Sequence, residues 1–387
     1  MKKCFGLIVN RLDDKVTLID FLLNAKRFGH MIDEVIVIYS QDIDRGYLEN
    51  VRTFVKIKLI HVNRLTPIYD ELLGMGVSEK SIIKILGMDD FEKTGLVTYS
   101  KKRNLVLLQA LLDGMDIVYF IDSDVHPCVL YKEGKCEEID FVGVHLNHLL
   151  FKDVAATTSD YSGYFILPPM KFKHMDAFLT GIQKEGAIPY MSTSDLHNCL
   201  KLGIHEPYRT PTFTNKLLGG NLAMRTCFLD RIPPFFSFFY KMEDRYYLTR
   251  GEDTTMGIFF DQNHLKVIDI DVKITHDTFG TYPKQPDLLN DPLIQNRLFY
   301  ASMGWIGRNP FLNYILGEDV KAMADVQKSA MEVGARALAE YTNDSRFLKL
   351  PHAIDCAVAN LPAMIERYEE VKTAWLEITT VIERRKG

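Results

Sequence analysis

Ile117-Val118-Tyr119-Phe120-Ile121-Asp122-Ser123-Asp124 runs five apolar residues into two carboxylates separated by one small residue. The β-branched and aromatic run suits a strand buried on both faces. Unpaired charge is costly in the interior of such a strand. The strand is therefore expected to end at Asp122, with both acids at the carboxyl edge of a sheet. Open α/β sheets bind their ligands at that edge. Two carboxylates one residue apart on a turn can face one hard cation, and that cation can hold a diphosphate. Standing alone, a motif this short more often marks an ordinary acidic turn, so its meaning depends on the flanking sequence.

Upstream, Phe5 to Val9, Val35 to Tyr39 and Ile57 to Val62 are apolar runs of strand length. Val16 to Phe28 has helical spacing, with Leu18, Phe21, Leu22 and Ala25 on one side. Such alternation predicts βαβ units and a largely parallel sheet. Asn10, Arg11 and Asp42 follow strand ends on the proposed ligand edge, where they could touch a base or ribose. Ser78 is an expected cap for a helix running to Leu86. A second helix opens at Tyr99-Ser100-Lys101-Lys102-Arg103-Asn104 and presents Leu105, Leu108 and Leu112. Cations at a helix start reinforce the partial positive charge already there, which marks Lys102 and Arg103 as phosphate-contact candidates or, more plainly, a solvated turn.

Downstream, strands are expected at Ile139 to Val144 and Tyr164 to Leu167, and helices near Lys173 to Lys184 and Ser194 to Leu202. Residues 145–215 read as an elaboration that shapes an acceptor pocket. Gly219-Gly220-Asn221 opens a strand reaching Arg225; paired glycines at a strand start allow close backbone approach by a ligand and are equally ordinary turn residues. The aromatic run Phe235 to Tyr240 fits core packing better than sugar stacking. Gly251-Glu252-Asp253 starts a helix, and both acids complement its dipole. Val267 to Val272 is a further expected strand, and His276 follows it on the ligand edge.

The 387 residues exceed a usual single domain. We expect one domain over 1–310 and a helical C-terminal extension over 311–387. The extension is expected to comprise a helix from about Asp319 to Thr342 and another from about Pro351 to Arg385 interrupted near Pro362. These helices could brace the domain or make a homo-oligomer contact. A formal charge of −5 argues against a nucleic-acid partner. No apolar stretch is long enough to span a bilayer, and Cys4 to Val9 reads as a first strand rather than a leader. The six cysteines show no close metal spacing. They are most simply free thiols in a reducing compartment, which makes cytoplasm the default location.

Taken in order, the basic Arg-Asn helix start, the Asp122-Ser123-Asp124 turn, the Gly-Gly-Asn strand, the Gly-Glu-Asp helix start and the late histidine resemble the GT-A fold glycosyltransferases. The resemblance extends over about residues 1–300. Lys102 through Pro127 is similar to the core of family-two-like and mannan-polymerase-like transferases. The later marks look like mannosylglycerate synthase, glucosyl-3-phosphoglycerate synthase and the polypeptide N-acetylgalactosaminyltransferases. The resemblance implies a Rossmann-like, mostly parallel mixed sheet flanked by helices, a nucleotide-sugar donor (UDP favoured, GDP also compatible) and Mn²⁺ or Mg²⁺. It implies Asp124 and His276 as metal ligands, with Asp122 at the ribose, a metal-bound water or the metal itself. Asn10, Arg11, Asp42, Lys102, Arg103, Ser123, Gly219, Gly220 and Asn221 would contact the donor. Glu252 and Asp253 would lie at the acceptor hydroxyl, as general base in an inverting reaction or as positioning groups in a retaining one. The late histidine leans modestly to retention; the Gly-Glu-Asp pattern leans the other way. The acceptor, whether glycan, small molecule or protein, has no readable motif; residues 145–215 and the 277–310 loop with Trp305 should shape its site.

Two rival classes follow from the same marks. A sugar-phosphate nucleotidyltransferase would carry a glycine-rich basic loop after its first strand, where this chain has Asn10-Arg11-Leu12-Asp13-Asp14. A non-catalytic nucleotide-sugar-binding protein would be expected to have lost one of Asp122, Asp124, Asp253 or His276.

Overall fold

The computed structural model describes residues 1–130, 136–163, 167, 168, 170–183, 211–281 and 284–386. The strands, in chain order, are β1 (Lys3–Val9), β2 (Glu34–Tyr39), β3 (Lys56–His61), β4 (Ile117–Ile121), β5 (Val125–Leu130), β6 (Cys136–Glu138), β7 (Val154–Thr158), β8 (Tyr161–Ser162), β9 (Thr212–Phe213), β10 (Asn221–Arg225), β11 (Phe239–Met242), β12 (Arg245–Leu248), β13 (Lys266–Asp269) and β14 (Ile274–His276). The helices are α1 (Leu18–Arg27), α2 (Arg45–Arg52), α3 (Thr66–Gly74), α4 (Glu79–Leu86), α5 (Met88–Thr94), α6 (Tyr99–Leu112), α7 (Phe141–Leu149), α8 (Met175–Gly181), α9 (Glu252–Gln262), α10 (Pro292–Ile315), α11 (Val320–Thr342) and α12 (Leu350–Lys386).

The main sheet has the order β3-β2-β1-β4-β10-β7-β13-β9. Strands β1 to β4 are parallel. β10 runs antiparallel to both its neighbours, β7 and β13 are parallel, and β9 is antiparallel to β13. The sheet is thus mixed and mostly parallel, flanked by helices, as expected. From β1 the chain builds outward through β2 and β3, then returns to place β4 on the other side. The crevice between the carboxyl ends of β1 and β4 is therefore a topological switch point, and Asn10 and Asp122 both stand at it.

The central strand has the two buried faces its composition implies. Val118 and Phe120 join the apolar cluster containing Leu105 and Leu108 of α6. Ile117, Tyr119 and Ile121 join the cluster containing Phe21 of α1 and Phe141 of α7. Smaller sheets stand beside the main one: the hairpin β11-β12, and a sheet of order β6-β5-β14-β8.

Several expectations are revised. Ile139 to Val144 is not a strand: Asp140 accepts from Gly143 N and caps α7, so a helix-start signal overrides the apolar run. The strand through residue 225 starts only at Asn221, because Gly219 and Gly220 form the preceding turn. The strand at Val267 stops at Asp269. His276 belongs to its own strand in the second sheet rather than to a loop. Trp305 lies within α10 and not on a loop. The helix near Lys173 is Met175–Gly181, whereas residues 164–166 and 194–202 lie outside the described residues. The last helix is continuous through Pro362. Pro362 sits on its exposed face, where water can satisfy the carbonyl that loses its donor.

Cysteine chemistry also departs from expectation. Cys128 and Cys136 form a disulfide, while Cys4, Cys227 and Cys356 are free. The premise of wholly reduced thiols does not hold at that pair. No described helix is long and apolar enough to cross a membrane.

The C-terminal helix is built into the core of the sheet domain. Met364, Tyr368, Val371, Trp375 and Ile378 share one apolar cluster with Phe120, Leu105 and Phe235. Trp375 Nε1 donates to the carbonyl of Leu229 at 2.8 Å. Arg367, buried, donates to the Lys84 carbonyl at the end of α4 and pairs with Asp89 and Asp90. Truncating Trp375 to Ala is expected to cost about 3–5 kcal/mol, read as a lowered midpoint in urea unfolding with an unchanged slope.

A buried histidine ties the main sheet to the segment that carries β8. His145 bonds Thr157 Oγ1 through Nδ1 and Asn221 Oδ1 through Nε2. Asn221 Nδ2 then donates to the carbonyls of Asp160 and Val272. Burial pushes the imidazole down to about 3. The unfolded chain takes up this proton near pH 6.5, so stability is complete above that pH and is lost as pH falls towards about 3. Urea unfolding across that window should show this decline, with a shallower slope in His145→Gln.

Candidate active site at the switch-point crevice

The carboxyl ends of β1 and β4, the β10 glycine turn, the start of α9 and the end of β14 enclose a cleft of about 450 Å³. Strand β4 stops at Ile121, and Asp122-Ser123-Asp124 makes the turn into β5. The sharp change from apolar run to acids thus puts both carboxylates on the cleft wall.

One guanidinium organises the centre. Arg103 Nε donates to Glu252 Oε1 at 3.0 Å, Nη1 to the Gly219 carbonyl at 2.9 Å, and Nη2 to Asp122 Oδ1 at 3.5 Å. Its guanidinium carbon lies 5.3 Å from the Phe120 ring centroid and 5.8 Å from that of Phe235. Burial opposes its charge, but Asp122, Glu252 and Asp253 raise its pKa beyond the usual arginine value. Burial raises the carboxyls of Asp122 and Glu252, against the pull of Arg103. Arg103 was expected at the phosphates; it instead joins α6, β4, the glycine turn and α9. The glycines answer to this same crowding. A Cβ on Gly219 would strike the Arg103 guanidinium, and one on Gly220 would strike the Asp122 carboxylate and the Tyr161 hydroxyl.

At the mouth, His276 Nε2 lies 3.0 Å from Asp124 Oδ1 and 3.0 Å from Thr278 Oγ1. Burial opposes ionisation of Asp124, but the His276 hydrogen bond and charge, with Arg297 nearby, hold its carboxyl below the usual range. An oxygen and an imidazole nitrogen side by side on an open cleft fit a divalent cation that takes its other ligands from substrate and water. Among the described residues no group of three or more His, Cys, Asp or Glu is arranged to hold a metal. Asp122, expected as a third ligand, faces Arg103.

Asp253 is half-buried on the cleft wall. Its Oδ2 accepts from Gly219 N at 3.2 Å and its Oδ1 from Thr254 N at 2.8 Å. Glu252 also lines the cleft, but its Oε1 accepts from Arg103, whereas Asp253 is held by backbone N–H groups.

Three cations gather round Tyr99. Lys102 Nζ and the Arg250 guanidinium lie 5.8 and 5.6 Å from its ring centroid. Arg297 donates to the Thr278 carbonyl at 3.1 Å and feels both Asp124 and Arg250. Burial lowers the pKa of Lys102 and of Arg297. None of the three is in an ion pair with a described carboxylate.

Of the expected donor contacts, Asn10, Lys102, Arg103, Asp122, Ser123 and Gly219 line the cleft. Arg11 is exposed and pairs with Asp13 at 3.4 Å, and Asp42 is exposed beyond the lining. Gly220 and Asn221 lie behind the wall, held by Tyr161 and His145. Sequence reasoning missed Tyr99, Tyr161, Arg250, Thr278 and Arg297. Arg250 had a usable signal, a cation directly before Gly251-Glu252-Asp253. Arg297 had none, being one polar residue on a long helix.

No family model and no curated protein matches the chain. Among solved structures it is similar to glucosyl-3-phosphoglycerate synthase from Mycobacterium tuberculosis. The complex with Mn²⁺, UDP and phosphoglyceric acid gives 15% identity and a TM-score of 0.41, covering 82% of this chain and 79% of that one. The complex with Mg²⁺ and UDP gives 15% identity and 0.40, covering 82% and 80%. A structure described only as a mycobacterial protein gives 16% identity and 0.40, covering 82% and 76%. The functional reading therefore rests on the cleft itself.

Removing Arg103 strands the buried Glu252 carboxylate and the half-buried Asp122 carboxylate. Arg103→Met should destabilise by about 3–5 kcal/mol, and adding Glu252→Gln should recover part of that loss. A double-mutant cycle by chemical denaturation measures the coupling.

Proposed function

We propose that the chain is a metal-dependent glycosyltransferase of the GT-A type, moving a sugar from a nucleotide-diphosphate donor to a hydroxyl acceptor. The carrying observation is the Asp124–His276 pair, 3.0 Å apart at a switch-point crevice. Three cations free of ion pairs with described carboxylates stand on the same cleft.

Asp124 and His276 would hold Mn²⁺ or Mg²⁺, which supplies Lewis-acid stabilisation of a leaving diphosphate. Lys102 and Arg297 add fixed positive charge where that anion develops. Asn10 and Ser123, at the ends of β1 and β4, contact the nucleoside side. Asp253, held by two backbone N–H groups, takes the acceptor hydroxyl or orients a sugar hydroxyl. Glu252 serves as a counter-charge to Arg103. The histidine ligand favours retention at the anomeric carbon, and NMR of the product anomer decides that point. UDP-sugars come first among donors and GDP-sugars second.

The test is a thermal-shift panel of UDP- and GDP-sugars with and without Mn²⁺. One nucleotide series should raise the melting temperature only with metal, since a ligand that binds the folded state stabilises it. Asp124→Ala should abolish that shift and His276→Ala should weaken it. A shift of the same size and metal dependence in Asp124→Ala would overturn the assignment.

A further inference from the structure

The two residues at the mouth are held by different strands of the second sheet. Asp124 directly precedes β5, and His276 ends β14, opposite Val125. Asp277 N donates to the Asp124 carbonyl at 3.1 Å, so the ladder runs to the pair itself. The β5–β14 register is not regular. Ile274 faces Val129, whereas Thr275 faces His126. Pro127 and Cys128 are the residues left over on β5. Such a bulge re-aims the side chains that follow it, and proline, with no N–H, suits a position outside the ladder.

Two contacts fix this bulge. The Thr275 hydroxyl donates to the Cys128 carbonyl at 3.1 Å, satisfying a backbone group that the ladder leaves over. On the far side, Cys128 is bonded to Cys136 of β6. The two sulfur atoms lie 3.6 and 3.5 Å from Thr275 Oγ1. Behind β14, Gly163 packs so close to the His276 carbonyl that a Cβ there would stand 2.7 Å from its oxygen. β14 is thus backed by a tight backbone contact on one side and by the disulfide-braced bulge on the other. Cys136 is exposed, so the bond is open to a reductant.

We infer that the Cys128–Cys136 disulfide, acting through Thr275 and the bulge at Pro127–Cys128, is a positioning element for the Asp124–His276 pair, and that the pair loses divalent-cation affinity when the bond is reduced. The inference rests on the metal-site reading above. Reduction follows ordinary exchange. A dithiol attacks one sulfur as its thiolate, the mixed disulfide is resolved by the second thiol, and the reductant leaves as a disulfide. Two electrons and two protons pass to Cys128 and Cys136, which become thiols. Bulge and hydroxyl then hold His276 without the brace from β6.

The experiment titrates Mn²⁺, alone and with UDP or GDP, following free Mn²⁺ by electron paramagnetic resonance. It compares protein kept oxidised, Cys128→Ser/Cys136→Ser, Thr275→Val and Thr275→Ser, all well below their melting temperatures. Oxidised protein and Thr275→Ser should bind alike. The double serine variant and Thr275→Val should bind about 10- to 100-fold more weakly, the range seen when a group behind a metal ligand is lost. Equal affinity in the oxidised and double serine proteins overturns the inference and leaves the metal site standing. Alkylation of both cysteines in never-reduced protein also overturns it. If the oxidised protein binds no Mn²⁺ under any of these conditions, the glycosyltransferase reading fails and the inference falls with it.

Discussion

A single buried cation, Arg103, sets the terms for this cleft. Withdrawing a guanidinium from water costs several kcal/mol unless its donors are met. Here Nε, Nη1 and Nη2 find Glu252, the Gly219 carbonyl and Asp122, and two aromatic rings lie within cation–π range of the guanidinium. Lysine, a point charge on a flexible stem, could not span these partners in one plane. Arg103 and its three hydrogen-bond partners come from four separate elements, so the interaction dictates how α6, β4, the glycine turn and α9 meet. The absence of side chains at 219 and 220 follows from the same packing.

This arrangement divides the acids into two groups. Asp122 and Glu252 are committed to Arg103 and act as internal counter-charges. All four acids line the cleft, but Asp124 and Asp253 make no hydrogen bond to Arg103: one stands beside an imidazole and the other is held by backbone N–H groups. The cations divide in the same way. Arg103 is neutralised, whereas Lys102, Arg250 and Arg297 have no ion pair with a described carboxylate. Lys102 is buried and among the described residues meets only a neutral oxygen, Asn10 Oδ1 at 3.4 Å; a buried charge without a counter-charge is unfavourable, and an anion bound beside it would relieve that cost. A diphosphate bridged to a divalent cation has the required charge and reach.

The sequence was most legible where one short signal decided one structural event. The apolar run into Asp122-Ser123-Asp124 located the central strand, its end and the cleft. Asp319, Ser78 and Gly251 marked helix starts that the structure has. Legibility failed where a signal had two physical causes. Paired glycines can admit a ligand or admit the protein's own arginine, and spacing alone does not separate the two. Basic residues at a helix start can face a cleft or pair internally: Lys102 reaches Asn10 on the cleft wall, whereas Arg103 pairs with Glu252 and the Gly219 carbonyl. The run at Ile139 has strand composition, but Asp140 at its second position satisfies a helix N-terminus. The disulfide was invisible because its cysteines are eight residues apart and pair only when β5 and β6 lie side by side.

The two halves of the candidate metal pair stand on different supports. Asp124 follows a strand buried on both faces and tied into the main sheet, so its backbone is fixed by the core. His276 belongs to a three-residue strand of a small sheet, with an irregular register and a disulfide at its edge. Positional error at a binding pair comes mostly from its less constrained member. The precision of this site is therefore set by the second sheet, where Thr275, Gly163 and the β5 bulge fix one imidazole.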